Sequence, residues 1–176
     1  MDYFTSDLHF CHDRNFIWGK RGFQSVQEMN EAIVKNFNEI ITSNDNLYIL
    51  GDLLLNNDIQ GIKFLNRLNG IKYIIWGNHD TENRQKAIAE TVPSCIILGY
   101  GSTYKYKGNS FYLSHYPTLT GNYNDKHPVW NLSGHTHLSE VFPSESNLIY
   151  NVALDAHDMK PVSIEQIIED IKRYKK

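Results

Sequence analysis

The chain has 176 residues, a formal charge of −3, 41% hydrophobic residues and 21% charged residues. That length and balance fit a single globular domain, residues 1–176, and exclude a disordered or fibrous chain. No apolar run approaches the ~18 residues of a membrane span and no signal-peptide pattern is visible, so the expectation is a cytoplasmic protein without a membrane partner. Residues 2–6 predict a short buried strand, and a loop rich in aromatic and charged residues follows to Phe23. Ser25 with Glu28 three residues on reads as a capping box. It opens a helix in which Val26, Met29, Ile33, Phe37, Ile40 and Ile41 recur at helical spacing. Residues 46–50 predict a second strand ending at Gly51-Asp52. Asp58 is placed as the N-cap of a second helix through Ile62, Leu65 and Leu68, with Gly70 at its close. Residues 71–76 predict a third strand ending at Gly77-Asn78-His79-Asp80. This β-α-β-α-β run favours parallel pairing through right-handed crossovers. Farther on, residues 104–107 and 110–114 flank Gly108-Asn109 as a hairpin, and strands are expected at 129–132, 140–142 and 148–153. Ser163 and Gln166 form a second capping box. The helix they open ends in Lys172, Arg173, Lys175 and Lys176, cations that suit a helix C-terminus better than a nucleic-acid patch.

Eight histidines are many for this length, and five of them lie in short motifs beside Asp, Asn or Gly. Asp7-Leu8-His9, Gly51-Asp52, Gly77-Asn78-His79-Asp80, Ser114-His115 and Gly134-His135-Thr136-His137 each fall at the end of an expected strand. In open α/β sheets ligands gather outside the carboxyl ends of strands, so the five motifs would converge on one rim. Each alone is more often a polar loop than a ligand; their conjunction and order carry the signal. Carboxylate and imidazole donors suit divalent Mn, Fe, Zn, Ni or Co. Asp7 and His9, two residues apart, can reach one ion, whereas His135 and His137 can serve the same ion or different ones. Cys11 and Cys95 are the only cysteines. They read as unpaired thiols, and no cysteine cluster supports a structural zinc knot.

The ordered set D-x-H, G-D, G-N-H-D, H and G-H-x-H resembles the calcineurin-like metallophosphoesterases. The early S-D-x-H-F and the helix with Glu28, Met29, Asn30 and Glu31 are similar to a compact bacterial and phage branch of predicted phosphoesterases. The resemblance implies a four-layer α/β/β/α sandwich with two mixed sheets and a pair of divalent metal ions. It places Asp7, His9, Asp52 and His137 on one ion and Asp52, Asn78, His115 and His135 on the other, with Asp52 shared. It leaves His79 to face substrate. After the second strand the family often reads G-D-x-x-D/N. Here the run is Gly51-Asp52-Leu53-Leu54-Leu55-Asn56-Asn57, so no role beside the metals is assigned to Asn56 or Asn57.

The expected reaction is hydrolysis of a small phosphodiester or phosphomonoester by a hydroxide held between two metals. His79 would stabilise charge or protonate the leaving oxygen. Asp80 would either orient His79 or cap a helix. Arg14 is the first choice for a substrate contact, with Arg21, Arg84 and Lys126 behind it and His12 at the site mouth. Trp18, Phe23, Tyr123 and Trp130 are candidates for an aromatic rim, at least two of them expected to be packed inside. His127 and His157 read as ordinary loop residues. The small negative charge disfavours a nuclease, although two bound cations would locally offset it. A non-catalytic protein-binding scaffold of the same fold is the alternative from another class. The sequence leaves native metal, physiological substrate and oligomeric state open.

Overall fold

The structure, a computed structural model, describes residues 1–93, 95–120, 127–144 and 148–174. Tyr123, Lys126, Lys175 and Lys176 lie outside the described residues. Among those described, the strands in chain order are Asp2–Thr5 (β1), Asn46–Leu50 (β2), Ile71–Ile75 (β3), Cys95–Gly99 (β4), Gly101–Tyr106 (β5), Asn109–Ser114 (β6), Val129–Ser133 (β7), Ile149–Asn151 (β8) and Val162–Ser163 (β9). The helices are Asn15–Trp18 (α1), Val26–Asn38 (α2), Asp58–Arg67 (α3), Glu82–Thr91 (α4) and Ile164–Tyr174 (α5), with a 3-10 turn at Leu154–Ala156.

The expected pair of mixed sheets is present. The first has the order β4-β3-β2-β1-β9, with β1 to β4 parallel and β9 antiparallel at the edge. The second has the order β5-β6-β7-β8, an antiparallel hairpin followed by parallel pairs. Side chains of β2 divide between two cores, as a strand covered on both faces requires. Leu47 and Ile49 join Met29, Ile33 and Phe37 of α2 and Phe64 and Leu65 of α3. Leu50 joins Phe4 and Ile75 between the sheets, facing Phe111, Leu113, Trp130, Leu132 and Tyr150. There Phe4 stacks on Tyr48 at 4.8 Å and receives the edge of Tyr104 at 5.2 Å. Ile164, Ile167, Ile168 and Ile171 of α5 complete this second core. No helix among the described residues is long and apolar enough to cross a membrane.

Three local expectations are corrected. Tyr106 pairs with Asn109, so the hairpin turns on Lys107-Gly108, both at positive φ, rather than on Gly108-Asn109. Asn57, not Asp58, caps α3 by accepting the Gln60 N–H at 3.1 Å. Residues 140–142 form no strand. The Asn151 side chain instead bridges the Leu138 and Glu140 carbonyls, tying the segment to β8 without a ladder. The Ser25 cap of α2 and the Ser163 cap of α5 stand as expected, accepting from Glu28 and Gln166 at 3.1 Å each.

The rim that carries the aspartate and histidine motifs rests on the first core. Phe10, which follows His9, is fully buried and stacks on Phe64 at 5.5 Å. Phe64→Ala is expected to destabilise the protein by about 3–5 kcal/mol, the range for removing a buried aromatic. Urea unfolding checks this, and a loss under ~1 kcal/mol would mean that the loop does not depend on that packing.

Candidate metal centre

The loop after β1 alternates in an unusual way. Asp7, His9 and Cys11 hold φ of 58°, 50° and 63°, while Leu8 and Phe10 between them are fully buried. The alternation drives Leu8 and Phe10 into the core and leaves Asp7 and His9 on the rim. His135 at 69°, His137 at 51° and Asp52 at 55° share this left-handed conformation. Non-glycine residues in that region carry strain of order 1–3 kcal/mol each and persist only where their surroundings hold them. Backbone bonds do so here. Asp7, His9 and Phe10 donate their N–H groups to Gly51, Asp52 and Leu53 at 3.0–3.1 Å, lacing the first two strand ends together. A parallel bridge from Ser6 to Ala153 brings the second sheet alongside.

Gly134 permits the closest approach. A Cβ there would lie 1.8 Å from Ser6 Oγ and 2.2 Å from Asp7 Oδ2. Gly134→Ala is expected to destabilise the fold by about 1–3 kcal/mol and to lower metal content by displacing Asp7. Thermal unfolding and elemental analysis check it, and unchanged metal content would show that Asp7 is not held through this contact.

Three donor atoms converge above the loop. His9 Nε2 lies 3.1 Å from His137 Nε2 and 3.8 Å from Asp7 Oδ1, and His137 Nε2 lies 3.7 Å from Asp7 Oδ1. Donors about 2.0–2.2 Å from a cation sit about 3.0–3.5 Å apart at right or tetrahedral angles, which matches the imidazole pair. Asp7 Oδ2 accepts from Ser6 Oγ at 2.5 Å and from the His135 N–H at 2.9 Å. Its Oδ1 is buried and makes no hydrogen bond among the described residues. A buried carboxylate oxygen without a donor is an acceptor awaiting a cation. Asp52 Oδ2 faces both sides of the cluster, 3.7 Å from His9 Nε2 and 3.5 Å from His115 Nε2. His115 Nε2 lies 2.9 Å from Asn78 Oδ1, and the His135 ring stands 5.0 Å from the His115 ring between centroids. The structure thus gathers donor atoms of Asp7, His9, Asp52, His115 and His137 into two groups, with Asn78 and the His135 ring beside His115, and the donor chemistry fits divalent metal.

The imidazoles are set to present lone pairs. His115 Nδ1 lies 2.9 Å from the Leu50 carbonyl, which can only accept, so Nδ1 carries the hydrogen and leaves Nε2, 2.9 Å from Asn78 Oδ1, without one. His9 Nδ1 lies 3.3 Å from His12 Nδ1. Burial, with the neighbouring His79 and Arg14, lowers the His12 pKa to about 4, so His12 is neutral and can accept. Burial likewise holds His9 well below the usual histidine range. His137 Nδ1 lies 3.0 Å from Asp155 Oδ2, and that contact raises its pKa against the effect of burial. Asp155 carries no marking spacing in the sequence and was not among the expected site residues. Burial opposes its ionisation, yet hydrogen bonds from His137 and Arg21 hold its carboxyl well below the usual range.

Asp80 takes neither of its expected roles. Thr81 occupies the N-cap position of α4. The buried Asp80 carboxylate accepts the N–H groups of Asp52 at 2.9 Å, Leu53 at 3.1 Å and Gly77 at 2.8 Å. It fastens the second strand end to the third rather than orienting the His79 ring.

The sequence profile of the calcineurin-like phosphoesterases matches residues 3–167. The chain belongs to the calcineurin-like phosphoesterases. An uncharacterised protein of Methanocaldococcus jannaschii is 30% identical over 98% of this chain and 92% of its own length. The gene 66 protein of Mycobacterium phage L5 is 26% identical over 77% of this chain and 76% of its own. A solved structure of an Aquifex aeolicus protein of unknown function shares the fold, with a TM-score of 0.70 at 24% identity, over 97% of this chain and 98% of that one. Membership makes this calcineurin-like phosphoesterase a metal-dependent hydrolase of phosphate esters, and its donor clusters are where divalent ions would sit.

The phosphoesterase opens a cleft of about 500 Å³ over these donors, lined by His9, His12, Phe16, Lys20, His79 and His137 among others. The His79 side chain is 43% exposed, with Nε2 3.9 Å from Asp52 Oδ2. Its backbone N–H donates to Asp52 Oδ1 at 3.0 Å. The expected basic contacts fare differently. Arg14 is exposed at the start of α1 and is not among the residues lining the cleft. Arg21 lines the cleft, but its guanidinium is pinned against Asp155 at 2.8 Å. Arg84 pairs with Asp58 at 2.8 Å and donates to the His79 carbonyl. Lys20, not singled out in the sequence, is the exposed cation in the lining. Trp130 is buried in the second core, and Trp18 and Phe23 pack against the first. The aromatic side chain at the cleft is Phe16, 60% exposed and edge-on to His12 at 5.7 Å. His157 is bonded to the Asn151 carbonyl at 2.7 Å and stacks on Tyr150.

Proposed function

We propose that the protein holds two divalent cations and hydrolyses a small phosphodiester or phosphomonoester. Asp7, His9, Asp52 and His137 hold one ion, and Asp52, Asn78, His115 and His135 hold the other. The observation that carries this reading is Asp52 Oδ2, a single oxygen placed within 3.7 Å of His9 Nε2 and 3.5 Å of His115 Nε2. Ions bound there supply Lewis acidity to phosphoryl oxygens and make water acidic enough to attack near neutral pH.

The chain's own groups do the rest. His79 presents its imidazole to the cleft, where Nε2 can hold a proton for the leaving oxygen. Its backbone is fixed at the N–H by Asp52 and at the carbonyl by Arg84, so the ring has a defined origin despite its exposure. Phe16 and the His12 edge supply an apolar wall for the organic part of the ester, and Lys20 a positive charge for an anionic one.

The test is a panel of esters on metal-reconstituted protein, with Mn, Fe, Zn, Ni and Co compared. It includes aryl monoester, aryl diester, 2′,3′- and 3′,5′-cyclic nucleotides and DNA. Turnover of a small ester with two ions per chain supports the reading. Selective, salt-sensitive cleavage of DNA would replace it with a nuclease. Two bound ions with no turnover of any ester would favour the scaffold.

A further inference from the structure

We propose that Asp155, gripped by Arg21, is a positioning residue that sets the tautomer of His137 and thereby the metal affinity of one donor group but not the other. The inference rests on the two-ion reading and adds to it a device that tells the ions apart.

A neutral imidazole can carry its hydrogen on either nitrogen, and only the bare nitrogen binds metal. His137 therefore needs an acceptor at Nδ1 if Nε2 is to face His9 Nε2 and Asp7 Oδ1. Asp155 Oδ2 provides it at 3.0 Å, and a carboxylate can only accept. Asp155 is itself fixed in one pose. Arg21 Nε donates to Oδ1 at 3.0 Å and Nη2 to Oδ2 at 2.8 Å, a two-pronged grip with directional as well as electrostatic content. The same Nη2 donates to the Asp7 carbonyl at 2.8 Å. One guanidinium thus joins the backbone of the first ligand loop to the carboxylate that aims His137. Asp155 reaches this place because Leu154 N donates to the Ser6 carbonyl and Ser6 bridges Ala153.

The clamp serves one side of the centre. His115 takes its tautomer from the Leu50 carbonyl, and no bond among the described residues links it to Arg21 or Asp155. Loss of an outer partner of a metal-bound histidine typically lowers affinity 10–100-fold, and here that loss falls on one ion.

The test titrates metal-stripped full-length protein with Mn²⁺ alone by calorimetry, for wild type, Asp155→Ala, Asp155→Asn and Arg21→Lys. Ring ¹⁵N shifts of metal-free His137 are read in parallel. Asp155→Ala is expected to weaken one binding class about 10–100-fold, to leave the other within about twofold, and to move the His137 hydrogen onto Nε2. The isosteric Asp155→Asn should weaken the same class less, because an amide oxygen at the Oδ2 position still accepts from Arg21 Nη2 and His137 Nδ1 while its NH₂ opposes the Arg21 Nε–H. Arg21→Lys keeps the charge but not the fork and should weaken the same class less. Unchanged affinities in Asp155→Ala, equal weakening of both classes, or a neutral His137 ring in the wild type with its hydrogen on Nε2 rather than Nδ1 would each overturn the proposal. A single binding class in wild type would remove the two-ion reading instead, while the ring shifts would still decide the clamp.

Discussion

His79→Ala is expected to keep wild-type metal content and lose about 10²–10⁴-fold in turnover, the range supplied by a positioned acid or base. The separation is possible because the contacts that hold this loop in the centre are backbone contacts. Asp52 Oδ1 accepts the His79 N–H, and Arg84 donates to the His79 carbonyl, so truncating the ring leaves both in place. Asn78 Oδ1 remains 2.9 Å from His115 Nε2. The ring that is lost is the half-exposed one over the cleft, not one of the buried donors. An ester with a good leaving group needs less protonation and should suffer less than one with a poor leaving group. Metal analysis beside hydrolysis of two esters of different leaving-group pKa checks both parts. Full activity would remove His79 from the chemistry, and loss of an ion would make it a ligand.

The candidate donors were legible in the sequence because each stands at the end of a strand marked by a local pattern. Residues 46–50 and 71–76 are short, mostly apolar runs, and each stops at a glycine. The register of β1 on β2 and β2 on β3 then places Asp7, Asp52 and Asn78 on one rim. What escaped has no local mark. Asp155 acquires its role from Arg21, 134 positions away, and Asp80 from amides 27 and 28 positions away. Asp155 sits in an ordinary acidic loop sequence, and the motif that marks Asp80 does not reveal which amides it binds. The unread elements α4 and β4 are poor in periodicity. Ile88 is the buried apolar residue of α4, and Ile96 and Ile97 on the edge strand β4 are both exposed, so neither a 3.6 nor a 2.0 repeat appears. Arg14 was favoured for its nearness in sequence to His9. The chain turns into α1 at that point, which leaves Arg14 exposed outside the cleft lining and puts Phe16 and Lys20 in it.

Asp52→Asn is expected to lose both ions, and it does so without enlarging or emptying the site. The amide can still accept the His79 N–H at the Oδ1 position. At the Oδ2 position it places an NH₂ group between His9 Nε2 and His115 Nε2, where a shared anionic oxygen had been. Each ion would lose a ligand, and the centre would lose a full negative charge. The weakening should therefore exceed the 10–100-fold typical of losing an outer partner. Folding stability separates this from general damage. In the metal-free wild type Asp7 and Asp52 are buried carboxylates close to one another, so removing one charge should leave metal-free stability equal or slightly higher. Metal that binds only the folded chain adds about 2.7 kcal/mol at a hundredfold excess over Kd. Wild type should gain that increment with added Mn²⁺, and Asp52→Asn should gain almost none of it. Thermal unfolding with and without metal reads the difference directly. An undiminished increment together with two ions per chain in the mutant would show that Asp52 does not join the two groups.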